Sequence, residues 1–176
     1  MENQMNDYEQ KKRAILKQRA KLLAKKPIVA EASGRIIEGL EFVLANEHYL
    51  ISSNFVSEVS KINTITPLPL TPDFLMGIIN LRGKILVVID IKSFLDLPSA
   101  GITDLNKIII VEDKGIEFCI LADEIVGSRE VNLDSLQKNS EQEKKINSDF
   151  IAGVTKDLLI VLNVERLIHD ERLVIN

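Results

Sequence analysis

From Ile36 onward, short runs of apolar residues alternate with polar interruptions, and few run longer than a single strand. Val, Ile and Leu dominate these runs, a bias that favours pleated, half-buried chain over helix. The pattern predicts strands near 37–45, 48–53, 55–62, 75–81, 84–90, 107–112, 116–122, 125–131, 150–155 and 158–163. Regular turn signals between short strands are the mark of an all-β barrel or sandwich. Asn46-Glu47 and Asp113-Lys114-Gly115 are expected as hairpin turns. Ile91 to Leu95 and Val164 to Ile168 each read as a helical turn after a strand, and 134–149 as a polar surface loop, partly helical.

Residues 6–26 have a different texture. They are rich in Ala, Leu, Lys, Arg and Gln and lack Gly and Pro, which predicts a helix ended by Pro27. Its apolar stripe (Tyr8, Ile15, Leu16, Leu22, Leu23) is narrow, so it is marginal alone in water. The expected organisation is a basic helix and linker over 1–35 and a β-rich body over 36–170.

The body repeats itself. Phe74-Leu75-Met76-Gly77-Ile78 matches Phe150-Ile151-Ala152-Gly153-Val154 at a spacing of 76. Ile85 to Ile91 matches Leu158 to Val164 at a spacing of 73, and Tyr49 to Val56 matches Phe118 to Ile125. Two copies of one five-strand unit follow, a first barrel near 36–95 and a second near 105–168. Each is small for an independent core, so the pair should share apolar surface, fold as one unit and leave a groove between them. The spacing falls by three between the matches: Asn80-Leu81-Arg82-Gly83-Lys84 stands opposite only Lys156-Asp157. The first copy thus carries an excess that includes a leucine and an arginine.

Charge argues against one class of function. The net charge is −4, but residues 1–27 hold eight Lys/Arg against three Asp/Glu, leaving the remainder at −9. An acidic body makes a poor nucleic-acid binder, although the basic arm keeps that reading open as an alternative. The arm itself reads either as a solvated helix or as a contact for acidic partners or lipid headgroups. Catalytic chemistry has no foothold. His48 and His169 are far apart, Cys119 sits inside an apolar strand, and no CxxC or HExxH occurs. Gly77 to Lys84 has the wrong spacing for a phosphate loop. No metal and no cofactor is expected. A lone cysteine fits a reducing compartment, and no apolar run approaches the length of a membrane span, so a cytoplasmic chain is expected.

The stretch ITPLPLTPDFLMGIINLRGKILVVIDI (Ile65 to Ile91) resembles the core motif of CheW-type coupling proteins of bacterial chemotaxis. The resemblance continues through Tyr49 to Val59, Leu121 to Gln137 and Phe150 to Ile168, and so spans the body. It implies two intertwined SH3-like five-stranded β-barrels without enzymatic activity. It also implies an adaptor that bridges chemoreceptor cytoplasmic tips to the regulatory domain of a CheA-type histidine kinase, at membrane-associated arrays but without insertion. An adaptor of the same type serving pili or surface motility is the runner-up. Matched position by position, Glu58, Asn80, Leu81 and Arg82 fall on the receptor-binding motif, and Leu40, Val56, Gly77 and Gly153 on the kinase interface. The N-terminal helix is additional to the minimal family pattern. Ser52-Ser53 depart from the apolar or acidic residues common beside the kinase-facing strand.

Overall fold

The computed structural model describes residues 34–62, 64–95, 97–98, 101–137 and 148–173. The expected N-terminal helix and most of the polar loop at 134–149 lie outside them. Ten strands follow in order: β1 (Ile36–Leu44), β2 (Glu47–Ser52), β3 (Val56–Lys61), β4 (Leu75–Leu81), β5 (Lys84–Ile89), β6 (Lys107–Asp113), β7 (Ile116–Ala122), β8 (Glu124–Asn132), β9 (Ile151–Val154) and β10 (Ile160–Leu162). A 3-10 turn (Ile91–Ser93) follows β5 and a short helix, α1 (Val164–Ile168), follows β10, both where the sequence predicts them. Each is opened by a side-chain cap: Asp90 accepts from the Lys92 N–H and Asn163 from the Arg166 N–H.

The strands form two five-stranded sheets, β8-β1-β2-β10-β9 and β3-β6-β7-β5-β4. Neither sheet is built from one copy of the repeat. The first combines β1 and β2 with the last three strands of the second copy; the second combines β6 and β7 with the last three strands of the first. The hairpins β1–β2 and β6–β7 have in effect changed places, so the boundaries 36–95 and 105–168 delimit repeats and not sheets. The reason is geometric. Two equivalent hairpins fit two equivalent seats, and sequence similarity alone does not say which takes which.

The duplication extends to detail. The parallel pairs Ile160↔Tyr49 and Val161↔Leu50 correspond to the pair Val88↔Cys119 and its neighbours in the other sheet. The β4–β5 and β9–β10 ladders carry a bulge at the same place, beside Gly77 and Gly153. Each sheet closes on itself through the segment that follows the third strand of a copy, β3 in the second sheet and β8 in the first. Thr66 exchanges backbone hydrogen bonds with Ile78 (2.8 and 2.9 Å), and Gln137 does so with Val154 (2.9 and 3.0 Å). Closure removes an exposed sheet edge.

Three clusters of buried side chains result. Four residues led by Leu50 and Val161 fill the barrel of the first sheet, and seven led by Val88 and Ile110 fill that of the second. The largest holds eighteen residues, including Phe42, Tyr49, Phe94, Ile120 and Phe150, and lies between the sheets. Cys119 is inside the second barrel, where burial pushes its thiol up to about 12. The first hairpin turn is centred on Ala45-Asn46 (φ 48° and 70°), one residue before the expected Asn46-Glu47; Lys114-Gly115 turns as expected (φ 50° and 87°).

Candidate functional site

The excess residues of the first copy lengthen a hairpin without lengthening its loop. The β4–β5 ladder runs to Asn80↔Ile85 and Leu81↔Lys84, which leaves only Arg82 and Gly83 to turn the chain. Both have positive φ, 51° and 88°, as a two-residue hairpin of matching twist requires. Glycine adopts that backbone freely, whereas arginine does so at a cost. Asn80 helps to hold the turn, its Oδ1 accepting from the Gly83 N–H at 2.9 Å. Leu81 packs onto the barrel core below.

Arg82 reaches across to β3. Its Nη1 donates to Glu58 Oε2 at 2.9 Å and its Nη2 to Glu58 Oε1 at 3.0 Å, a two-pronged pairing of guanidinium and carboxylate. The structure therefore brings together all four residues placed on the receptor motif: Glu58, Asn80, Leu81 and Arg82. A second pair stands beside them, Lys84 Nζ donating to Glu117 Oε2 at 2.9 Å. The Glu117 carboxylate holds the Lys84 ammonium above its ordinary value. Reading along the chain misses this pair because 33 residues separate its members. The two ion pairs rim a cavity of about 240 Å³ bounded by Ser57, Leu81, Leu86 and Ile110.

Leu40, Val56, Gly77 and Gly153 are distributed over β1, β3, β4 and β9, in both sheets. Leu40 and Val56 are half-buried against the inter-barrel core. Gly77 and Gly153 occupy equivalent places on the two closing seams. A Cβ on Gly77 would lie 2.2 Å from the Thr66 carbonyl oxygen, and one on Gly153 would lie 2.8 Å from Leu136 Cβ. Packing by itself requires glycine at both.

Between the second barrel and the chain that follows β10 runs a groove of about 260 Å³, walled by Phe74, Val87, Ile89, Phe118, Ile168 and Leu173. Glu117 borders both this groove and the cavity beside Arg82. At its far side Arg172, paired with Asp170, lies over the rings of Phe94 (4.3 Å to the centroid) and Phe150 (5.3 Å). Among the described residues no group of three or more His, Cys, Asp or Glu is placed to hold a metal ion, and no helix is long and apolar enough to cross a membrane.

A duplicated barrel that presents an ion-paired hairpin beside an apolar groove defines a protein-interaction module. The family model of the CheW-like domain matches residues 38–172, and the chain belongs to that family. It is 27% identical over 133 residues to "Chemotaxis protein CheW" of Bacillus subtilis, covering 74% of this chain and 85% of that one. It is 32% identical over 81 residues to "Protein FrzA" of Myxococcus xanthus, covering 46% of this chain and 51% of that protein. Among solved structures, the scaffolding protein TtCheW from Thermoanaerobacter tengcongensis superposes with a TM-score of 0.67 at 31% identity, over 78% of this chain and 90% of that one.

Proposed function

We propose that this chain is a non-enzymatic coupling adaptor of bacterial chemosensory signalling, joining chemoreceptor cytoplasmic tips to the regulatory domain of a CheA-type histidine kinase. It works in the cytoplasm beneath receptor arrays, with no cofactor and no nucleic acid. Membership of the CheW-like family supports the role of scaffold. The observation that carries the receptor contact is Arg82: an arginine held in a left-handed turn at the tip of a lengthened hairpin, its fork oriented by Glu58. An exposed ion pair contributes about 0–1 kcal/mol to stability, too little to account for an arginine in that conformation. Binding is the better reason. On the same reading the kinase side uses Leu40, Val56, Gly77 and Gly153.

Arg82→Glu is expected to abolish retention of the protein by an immobilised chemoreceptor cytoplasmic fragment while its far-UV spectrum stays that of the wild type. Undiminished retention would remove Arg82 from the contact. An adaptor of the same type serving pili or surface motility is the second reading, consistent with the similarity to FrzA, a protein not named for chemotaxis. A receptor and kinase encoded beside this chain, or a pilus operon in their place, separates the two.

A further inference from the structure

Because the fold is duplicated, each feature of one barrel mouth can be compared with its equivalent in the other. Lys84, Glu117, Ile110 and Glu58 in the second sheet correspond, through the repeat spacings, to Asp157, His48, Glu41 and Gly127 in the first. In the first sheet the position of Ile110 is taken by the Glu41 carboxylate, which lies at the barrel mouth and is nearly buried. His48 Nδ1 meets it at 2.7 Å and Arg129 Nη1 donates to it at 3.1 Å, while Arg129 also reaches Asp157. That mouth is plugged by polar groups. The mouth of the second sheet has an aliphatic floor, Leu86 and Ile110, and stays open.

The rim of the open mouth is asymmetric in charge. The cations stand outward, with side chains 77% exposed for Arg82 and 68% for Lys84, whereas the carboxylates turn inward, 29% for Glu58 and 20% for Glu117. An approaching partner therefore meets positive charge around a hollow with polar walls and an aliphatic floor, on a body whose net charge is strongly negative.

We propose that this cup seats one large apolar side chain of a partner segment, flanked by a carboxylate that bridges Arg82 and Lys84, and that Lys84 is a second specificity-determining residue of the surface. The inference rests on the receptor-coupling reading and gives its contact a chemistry: an apolar anchor beside an acid. Glu117 holds Lys84 in place for it. An apolar anchor in a desolvated pocket ringed by polar contacts is the usual composition of an interface centre.

The test measures affinity of the full chain for a soluble chemoreceptor cytoplasmic fragment by calorimetry, with melting temperature alongside. Lys84→Gln is expected to weaken binding about tenfold and Ser57→Phe, which fills the cup from its exposed rim, by at least as much. Both should melt within a few degrees of the wild type. Binding should also weaken with salt. Wild-type affinity in both variants, with Arg82→Glu still defective, would overturn the cup and leave the coupling reading standing. A wild-type chain that fails to bind the fragment would overturn both. Loss of binding matched by loss of the fold in Lys84→Gln, with Ser57→Phe folded and binding normally, would make Lys84 a structural residue and overturn the inference.

Discussion

Arg82 illustrates how a functional residue departs from what the fold alone prefers. At φ 51° glycine is the cheaper choice, and the next residue, Gly83, makes that choice. Arg82→Gly is therefore expected to change unfolding free energy by no more than about 1 kcal/mol, because relief of backbone strain offsets the lost ion pair. Urea denaturation checks this. Gly77 is the opposite case. Its φ of 134° and the 2.2 Å approach to the Thr66 carbonyl leave no room for a side chain. Gly77→Ala should cost about 2 kcal/mol or more, and Gly153→Ala less, since its clash is with a side chain at 2.8 Å. A loss of kinase binding in either variant would have to be judged against that loss of stability.

At the scale of elements, the copies are joined by a buried polar cluster. Lys92, on the turn after β5, is 1% exposed and donates to Asp123 Oδ1 at 2.8 Å. Asp123 also accepts from the Ala45 N–H at 2.8 Å and from Asn106 Nδ2 at 3.1 Å. It thereby ties the β1–β2 turn, the β7–β8 corner and the chain entering β6. Lys92→Ala leaves the Asp123 carboxylate without its cation and should cost about 3 kcal/mol, measured by thermal melting. Burial alone would push Asp123 and Glu41 up, yet hydrogen bonds from Lys92, Ala45 and Asn106, and from Arg129 and His48, hold both below their ordinary values. Asp157 and Asp170 are lowered chiefly by hydrogen bonds from Thr155 and Arg172. A depressed carboxylate contributes stability that is present above its unfolded value and lost as pH falls through its folded one. Unfolding free energy should thus be nearly flat from neutrality to about pH 5 and fall steeply below about pH 4, as a denaturation series across pH would record.

Much of this level was legible in the chain. Short apolar runs bounded by turn residues mark all ten strands, with a two-residue period where one face is solvated, as in β3 and β8, and a continuous run where both faces are buried, as in β6 and β7. The Arg82–Glu58 pairing was also foreseeable, because both residues stand out in recognisable motifs. Lys84–Glu117 and Glu41–Arg129 were not: they join strands 33 and 88 residues apart, and isolated charges carry no mark of their partners. One signal was available. Lys84 aligns with Asp157 in the other copy, a charge reversal at equivalent positions. Like charges also face one another across strands, Glu38↔Glu130 in one sheet and Lys61↔Lys107 in the other. Glu130→Lys should stabilise the first pair by about 0.2–1 kcal/mol, seen as a higher urea midpoint.

For the whole molecule, exchange of hairpins between the copies means that neither copy can complete a barrel alone. The largest buried cluster lies between the sheets, so the body should unfold in one transition, with far-UV ellipticity and tyrosine fluorescence coincident in urea. Sequence similarity of the copies revealed the duplication and concealed the exchange, because equivalent hairpins look alike in either seat. A body that folds as one unit suits the proposed coupling role. The division of labour between the surfaces is the central claim. It is tested most directly by measuring, on Arg82→Gly, affinity for a chemoreceptor cytoplasmic fragment and for the kinase regulatory domain in parallel. Loss of the receptor fragment with kinase affinity unchanged is the predicted result; equal loss of both, or of neither, would contradict it.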